Sequence, residues 1–201
     1  SFPPPAEWLR ALARLQSEGS LIPAVAHTLS TYLLGLLCAT IIGSAIGATI
    51  GASRRIDHVL TPSIDFVAAI PGAALVPLIA IVLGPSQLSG VTAVALIVSW
   101  PILLNAVMAM RAIPVVRLEM SRTLGLSPQQ RWGKVVLPSL APGIMLGVRV
   151  ASALALIITV LVDIFGTGMG IGRLLVESQQ RFDASAAWGL LFIIGVFGYL
   201  A

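Results

Sequence analysis

The feature that most limits what this chain can become is a succession of long apolar runs separated by short polar links. "HTLSTYLLGLLCATIIGSAIGATIGA" occupies residues 27–52, and comparable runs cover 59–83, 88–110 and 140–165. A fifth starts near Ala186 and is still apolar at Ala201. A helix needs about 20 predominantly apolar residues to cross a bilayer. Inside lipid the backbone must satisfy its own hydrogen bonds, so helices are the natural solution for runs of this length. The expected fold is all-α: a polytopic transmembrane bundle with about five spans visible here. Composition agrees, with 57% hydrophobic and 10% charged residues, against about 25% charged in soluble domains.

The charges sit in the links, so the net charge of +4 speaks of orientation and anionic lipid rather than of nucleic acid. Cys38 is the single cysteine, and His27 and His58 are far apart in the chain. Neither a disulfide framework nor a metal cluster is expected. The start, "SFPPPAEWLR", lacks the basic and apolar regions of a signal peptide. Both ends of the natural chain are expected to extend further.

Basic links stay in the cytoplasm. Residues 53–58 hold Arg54 and Arg55 against Asp57. Residues 111–138 hold Arg111, Arg117, Arg122, Arg131 and Lys134 against Glu119 alone. Residues 84–90 are uncharged, and residues 166–185 are nearly balanced. The first and third links are therefore placed inside. Residues 1–26 become an extracytoplasmic segment in which "AEWLRALARLQ" forms a short amphipathic surface helix. Residues 27–201 form the transmembrane domain, with a cytoplasmic loop at 111–138. An outside N-terminus suits one further span before Ser1, giving six in the full chain.

Within the first span, Gly35, Ala39, Gly43, Gly47 and Gly51 recur every four residues. On a helix they form a smooth ridge that another helix can approach closely. Pro62, Pro71, Pro77 and Pro101 interrupt the second and third spans and remove backbone donors there.

The most polar long stretch, "EMSRTLGLSPQQRWGKVVLP" at 119–138, is carefully punctuated. Pro114 suits a first helical position, and Gly125 suits a stop after a helix running to Leu124. Ser127, Pro128 and Gln130 spell a capping box. A second helix is expected from 128 to Leu137, halted near Pro138. The first helix is partly apolar, through Val116, Met120 and Leu124. That pattern fits either a partner with a groove or a helix lying on anionic headgroups.

The spacing Glu119-Met120-Ser121, Gly125, Val135-x-Leu137-Pro138 resembles the E-A-A-x3-G-x9-I-x-L-P signature of ABC importer permeases. "SRRIDHVLTPSIDFVAAIPGAALVPLIAIVLG", "SWPILLNAVMAMRAIP" and "LPSLAPGIMLGVRVASALALIITVLVDIFGTGMGIGRLL" look like the nitrate, sulfonate, taurine and bicarbonate branch of that family. The likeness covers nearly all of residues 25–201. It departs at 68–72, "AAIPG", which lacks an arginine and a second proline, and at Asp163, where glutamate is common.

The resemblance implies a type I ABC importer permease core in a bacterial inner membrane. Glu119, Met120, Ser121, Arg122, Thr123, Leu124 and Gly125 would form the coupling element that docks on a cytosolic ATPase. Residues 127–138, with Leu137 and Pro138, would support it. The implied partners are two ATPase subunits carrying ATP and Mg, a second permease subunit expected to be another copy, and a periplasmic or lipid-anchored solute-binding protein. The cargo would be a small anionic solute. The chain has no G-x-x-x-x-G-K-[ST] phosphate loop, binds no cofactor of its own in this reading, and is a transport subunit rather than an enzyme.

Candidate pathway residues are those whose polarity is costly inside apolar spans: Asp65, Asn105, Arg149 and Asp163, with Pro71 at a break. Arg149 suits snorkelling, pairing with Asp65, or meeting an anion. Asp163 suits a solvated or helix-pairing role, and Asn105 suits interhelical bonding. Three rivals stand beside this reading. A permease for another solute class shares the signature. An intramembrane enzyme needs a matched catalytic pair, but Asp65 and Asp163 lie toward opposite faces. A carrier working without ATP is expected to show inverted repeats.

Overall fold

The computed structural model describes residues 3–53, 59, 66 and 70–200. These contain the helices α1 (Pro5–Ser17), α2 (Leu21–Gly51), α3 (Gly72–Leu83), α4 (Gln87–Arg111), α5 (Val115–Thr123) and α6 (Pro128–Arg131). A π-helical turn, Trp132–Val136, leads into α7 (Leu137–Phe165), followed by α8 (Ile171–Gln180) and α9 (Ala184–Leu200). Among the described residues three helices are long and apolar enough to cross a membrane: α2, α4 and the continuous Pro128–Phe165 stretch. The 12 residues of α3 and 17 of α9 are apolar but shorter. Of the span expected at 59–83, only the α3 part, Val59, Phe66 and residues 70–71 lie among the described residues.

The chain divides into two compact units. The first comprises Ser1–Gly35, Gly72–Ile97 and Ser152–Ala201; the second comprises Leu36–Pro71 and Val98–Ala151. In the first unit the amphipathic helix expected near the N-terminus is α1. Its apolar stripe is taken up by protein: Ala11 and Leu15 bury with Leu174, Leu175, Ala186 and Leu190 of α8 and α9. Trp8 stacks on Trp188 with ring centroids 6.0 Å apart. The Arg14 guanidinium pairs with Asp183, and Ser185 bonds Glu7 at 3.2 Å. The helix after α1 begins at Leu21 rather than His27, so the boundary drawn after residue 26 falls inside α2. The run Leu21-Ile22-Pro23-Ala24-Val25-Ala26 is itself apolar, and Pro23 is tolerated in a first turn whose N–H groups have no helical partner.

The small-residue ridge of α2 packs within both units. In the first, a Cβ on Gly35 would stand 2.5 Å from Val94 Cγ1 of α4. In the second, a Cβ on Gly43 would stand 2.6 Å from the Ser99 carbonyl oxygen, and one on Gly47 would overlap Leu103. Gly35, Ala39, Gly43 and Gly47 are all buried. On other faces of α2, Leu33, Leu37 and Ile41 are exposed, as suits a helix whose solvent is lipid. The second unit also draws α7 against α4, where a Cβ on Gly147 would sit 3.1 Å from Ile102 Cα. A small core of Ala48, Ile113, Val136 and Leu140 lies beneath the α5 region.

Two expectations for the polar bracket are corrected. Pro114 is the residue before α5, with ψ 131°, and helical geometry starts at Val115. Its carbonyl accepts from the Arg117 N–H at 3.0 Å, so proline serves in the flanking position where no donor is required. Nor does Pro138 halt the second helix. The chain widens into a π turn over Trp132–Val136, where the Leu137 N–H reaches back five residues to the Trp132 carbonyl. That extra residue in the turn lets the helix pass the missing N–H of Pro138 and run on to Phe165. The supposed second short helix is thus one end of the long Pro128–Phe165 helix.

Candidate functional site

The bracket belongs wholly to the second unit. Ser127 caps α6: its hydroxyl accepts from the Gln130 N–H at 3.3 Å, and the Gln130 side chain accepts from the Ser127 N–H at 3.0 Å. After α5, the Gly125 N–H bonds the Arg122 carbonyl at 2.9 Å and the Leu126 N–H bonds the Ser121 carbonyl at 3.1 Å. Gly125 takes φ +69°. This is a Schellman stop, which needs a left-handed residue. Arg117 Nη1 donates to Ser139 Oγ at 3.0 Å, tying α5 to the start of α7. The link between the helices is therefore fixed at both ends.

This rigidity sets which residues face outward. Of Glu119, Met120, Ser121, Arg122, Thr123, Leu124 and Gly125, only Ser121 is buried. Its hydroxyl donates to the Leu118 carbonyl at 2.6 Å, and Leu118 packs on the Ile113–Val136–Leu140 core. Val116, Met120 and Leu124, spaced four apart, form an exposed apolar stripe, with Leu124 74% exposed. Glu119 and Arg122 flank it. Leu137 and Pro138 are exposed in the first turn of α7 and belong to the support rather than to α5.

The intramembrane candidates separate. Asp65 lies outside the described residues. Pro71 is exposed and immediately precedes α3. Asn105 is half-buried, and its amide donates to the Pro101 carbonyl within α4 at 2.8 Å; its Cβ also lies 3.0 Å from where one on Gly147 would be. It stands on α4 where Gly147 of α7 packs against that helix. Arg149 is exposed on α7. Asp163 is fully buried in the first unit and bonded to Thr28 of α2.

Asp163 is the centre of a polar node that the sequence reading did not assemble. The Thr28 hydroxyl of α2 lies 2.6 Å from Asp163 Oδ2 and donates to it. The Thr28 hydroxyl oxygen in turn accepts from the Ile171 N–H at 2.9 Å, and Asp163 Oδ2 accepts from the Gly172 N–H at 3.4 Å. Ile171 and Gly172 are the first two residues of α8, whose own cap residue, Gly170, offers no side chain. The free N–H groups of a helix start need acceptors. Here a hydroxyl from α2 and a carboxylate from α7 supply them across the fold. Gly170 has φ +87°, and a Cβ there would overlap the Asp163 carboxylate. His27 Nδ1 stands 3.5 Å from Asp163 Oδ1, too poorly aligned for a hydrogen bond. A cavity of about 280 Å³ opens beside the node, lined in part by Pro23, Ala24, His27, Gly170, Arg173 and Glu177. The available signals were Thr31, which continues the four-residue register of α2, with Thr28 three residues before it, and the glycine-rich "GTGMGIG" after Asp163.

Long apolar helices joined by a stiff, basic link define a multi-pass membrane protein. The chain belongs to the family of binding-protein-dependent transport system inner membrane components, whose model matches residues 20–201. It is 26% identical over 199 residues to a Bacillus subtilis protein named as an aliphatic sulfonates transport permease, covering 99% of this chain and 72% of that one. It is 29% identical to the bicarbonate transport system permease of Synechocystis, covering 83% of this chain and 60% of that one. It is 23% identical to the taurine transport system permease of Escherichia coli, covering 99% and 74%. The chain thus spans about three fifths of the bicarbonate permease and under three quarters of the other two. Its fold matches a chain of the inward-facing methionine ABC transporter MetNI with TM-score 0.76 and 18% identity, over 92% of each chain.

Proposed function

We propose that this chain is one of two identical permease subunits in an ATP-driven importer for a small anionic solute. The observation that carries the reading is the bracket. A helix with a fixed stop at Gly125, a tie from Arg117 to Ser139, and an exposed Val116–Met120–Leu124 stripe is a rigid lever offered to a partner. An amphipathic helix seated in a groove is a recurrent docking mode. On the partner ATPase, ATP and Mg would close the dimer, α5 would move as a rigid body, and the spans would change which side they open to. The physics is a two-state equilibrium that nucleotide biases. A solute-binding protein would deliver the cargo on the opposite side. The solute class is supported by the relatives, which are named for sulfonates, bicarbonate and taurine.

The test is purification of the complex from native membranes, mass spectrometry of its components, and uptake in vesicles. An ATPase and a binding protein should co-purify. Uptake should need ATP, and sulfonates, nitrate and bicarbonate should be tried as competitors. Solute accumulation against its gradient by this chain alone would defeat the reading. Competition only by cations or uncharged compounds would defeat the choice of solute class.

A further inference from the structure

Three helix stops within the described residues share one hydrogen-bond pattern. After α1, the Gly19 N–H bonds the Gln16 carbonyl and the Ser20 N–H bonds the Leu15 carbonyl, both within 3.1 Å. After α5, Gly125 and Leu126 do the same with Arg122 and Ser121. After α8, the Phe182 N–H bonds the Gln179 carbonyl at 3.1 Å and the Asp183 N–H bonds the Ser178 carbonyl at 2.9 Å. All three are Schellman stops, and the pivotal residue must be left-handed. The first two use glycine at φ +72° and +69°, whereas the third uses Phe182 at φ +56°. A bulky residue there is a genuine outlier. Phe182 is also 93% exposed. Among the described residues almost nothing covers the ring to offset the strain, and it is held at the tip of the turn by bonds on both sides.

Its surroundings select the occupant. A hollow of about 190 Å³ beside the turn is lined by Arg14, Glu18, Glu177, Arg181 and Asp183 together with Leu15, Leu174 and Ser178. Arg14 is already paired with Asp183, and Arg173 with Glu177 at 2.6 Å. With Arg173 counted, Glu18, Glu177 and Asp183 are matched by three arginines, so the cluster has no excess of positive charge to draw anionic headgroups, whose surface helices are rich in lysine and arginine. An exposed aromatic ring between Arg181 and Asp183, both of which line the hollow, suits a protein-binding anchor with a polar rim. With the basic links read as cytoplasmic, alternation of the spans leads us to expect residues 166–185 on the extracytoplasmic side.

We infer that Phe182 is an anchor for the soluble solute-binding protein, presented on a strained α8–α9 turn and oriented by the charged hollow beside it. This rests on the importer reading above and names a contact for it. The experiment measures binding of the solute-binding protein recovered with the wild-type complex to purified transporter in lipid nanodiscs. Phe182→Gly should weaken binding at least about tenfold, as hot-spot truncations do. It should also raise the melting temperature or leave it unchanged, since glycine is the relaxed choice at this φ. Phe182→Tyr should bind within about threefold of wild type, well short of hot-spot loss. Equal binding by wild type and Phe182→Gly would overturn this inference alone. A wild-type complex that binds no such protein would overturn the importer reading and this inference with it.

A second measurement separates other occupants. A nitroxide on Phe182→Cys, in a Cys38→Ser background, should be mobile and water-accessible until the binding protein is added. Immobilisation beforehand in lipid alone would assign the ring to headgroups. Immobilisation in detergent as well would assign it to a second copy of the chain. Either result overturns the proposal.

Discussion

The Thr28 hydroxyl and the Asp163 carboxylate, 135 residues apart in sequence, meet at 2.6 Å. Between them they cap the start of α8, because Thr28 also accepts from Ile171 N–H and Asp163 from Gly172 N–H. The node stands in a fully buried place, so each unmet partner there costs more than the bond itself is worth.

Thr28→Val keeps the shape and removes both roles of the hydroxyl. Asp163 loses a donor and the Ile171 N–H loses its acceptor. The expected loss is about 2–4 kcal/mol, from one or two buried polar groups left unsatisfied. Thermal unfolding of the purified complex should show it, and Thr28→Ser should recover most of it.

Gly170→Ala places a methyl group at φ +87° and against the Asp163 carboxylate. With ψ at −173° the backbone is in an essentially glycine-only region, which alone costs about 1–3 kcal/mol, and the overlap adds to it. Gly133→Ala, where nothing lies within 4 Å of the new methyl, is the matched control. It should express and melt like wild type, whereas Gly170→Ala should melt lower.

Gly43→Val drives a side chain into the Ser99 carbonyl across the α2–α4 contact. Overpacking of this kind costs about 1–3 kcal/mol. The expected readout is reduced yield of folded protein after detergent extraction. Leu33→Val, on an exposed part of α2, should have little effect.

Gly125→Val has open space around it but not the backbone freedom, since φ is +69°. The strain of about 1–2 kcal/mol should tilt or fray the end of α5. Glu119→Lys leaves the backbone alone and reverses a charge beside the exposed stripe. Both variants should insert normally while uptake falls relative to ATP hydrolysis. Normal coupling ratios in both would remove α5 from the coupling role.

Arg149→Ala tests the pathway assignment. Uptake should fall several-fold while ATPase co-purification is unchanged. Unchanged uptake would take Arg149 out of the pathway.

Much of the second unit was legible along the chain because its signals are local. The Ser127–Gln130 capping box, the Gly125 stop and the α2 small-residue ridge each depend on residues three or four apart, and each forms as the spacing requires. The fate of Pro138 was not legible. A proline ends a helix or is absorbed by it according to whether the preceding turn can widen, and here Trp132–Val136 widens. What covers the apolar stripe of α1 was not legible for a related reason. Periodicity shows that a helix has an apolar stripe, but only the fold decides that α8 and α9, rather than lipid, cover it.

By itself, then, the order of residues determined the class of this protein: apolar runs of bilayer length, a basic bracket with local caps, and a family signature within it. Tertiary structure alone decided what Asp163 does. A carboxylate in an apolar span announces a cost, but its resolution lies in partners at Thr28 and Gly172 that only folding brings within reach. Hydrogen bonds act over about 3 Å, and nothing in the linear spacing of residues 28, 163 and 172 records that proximity.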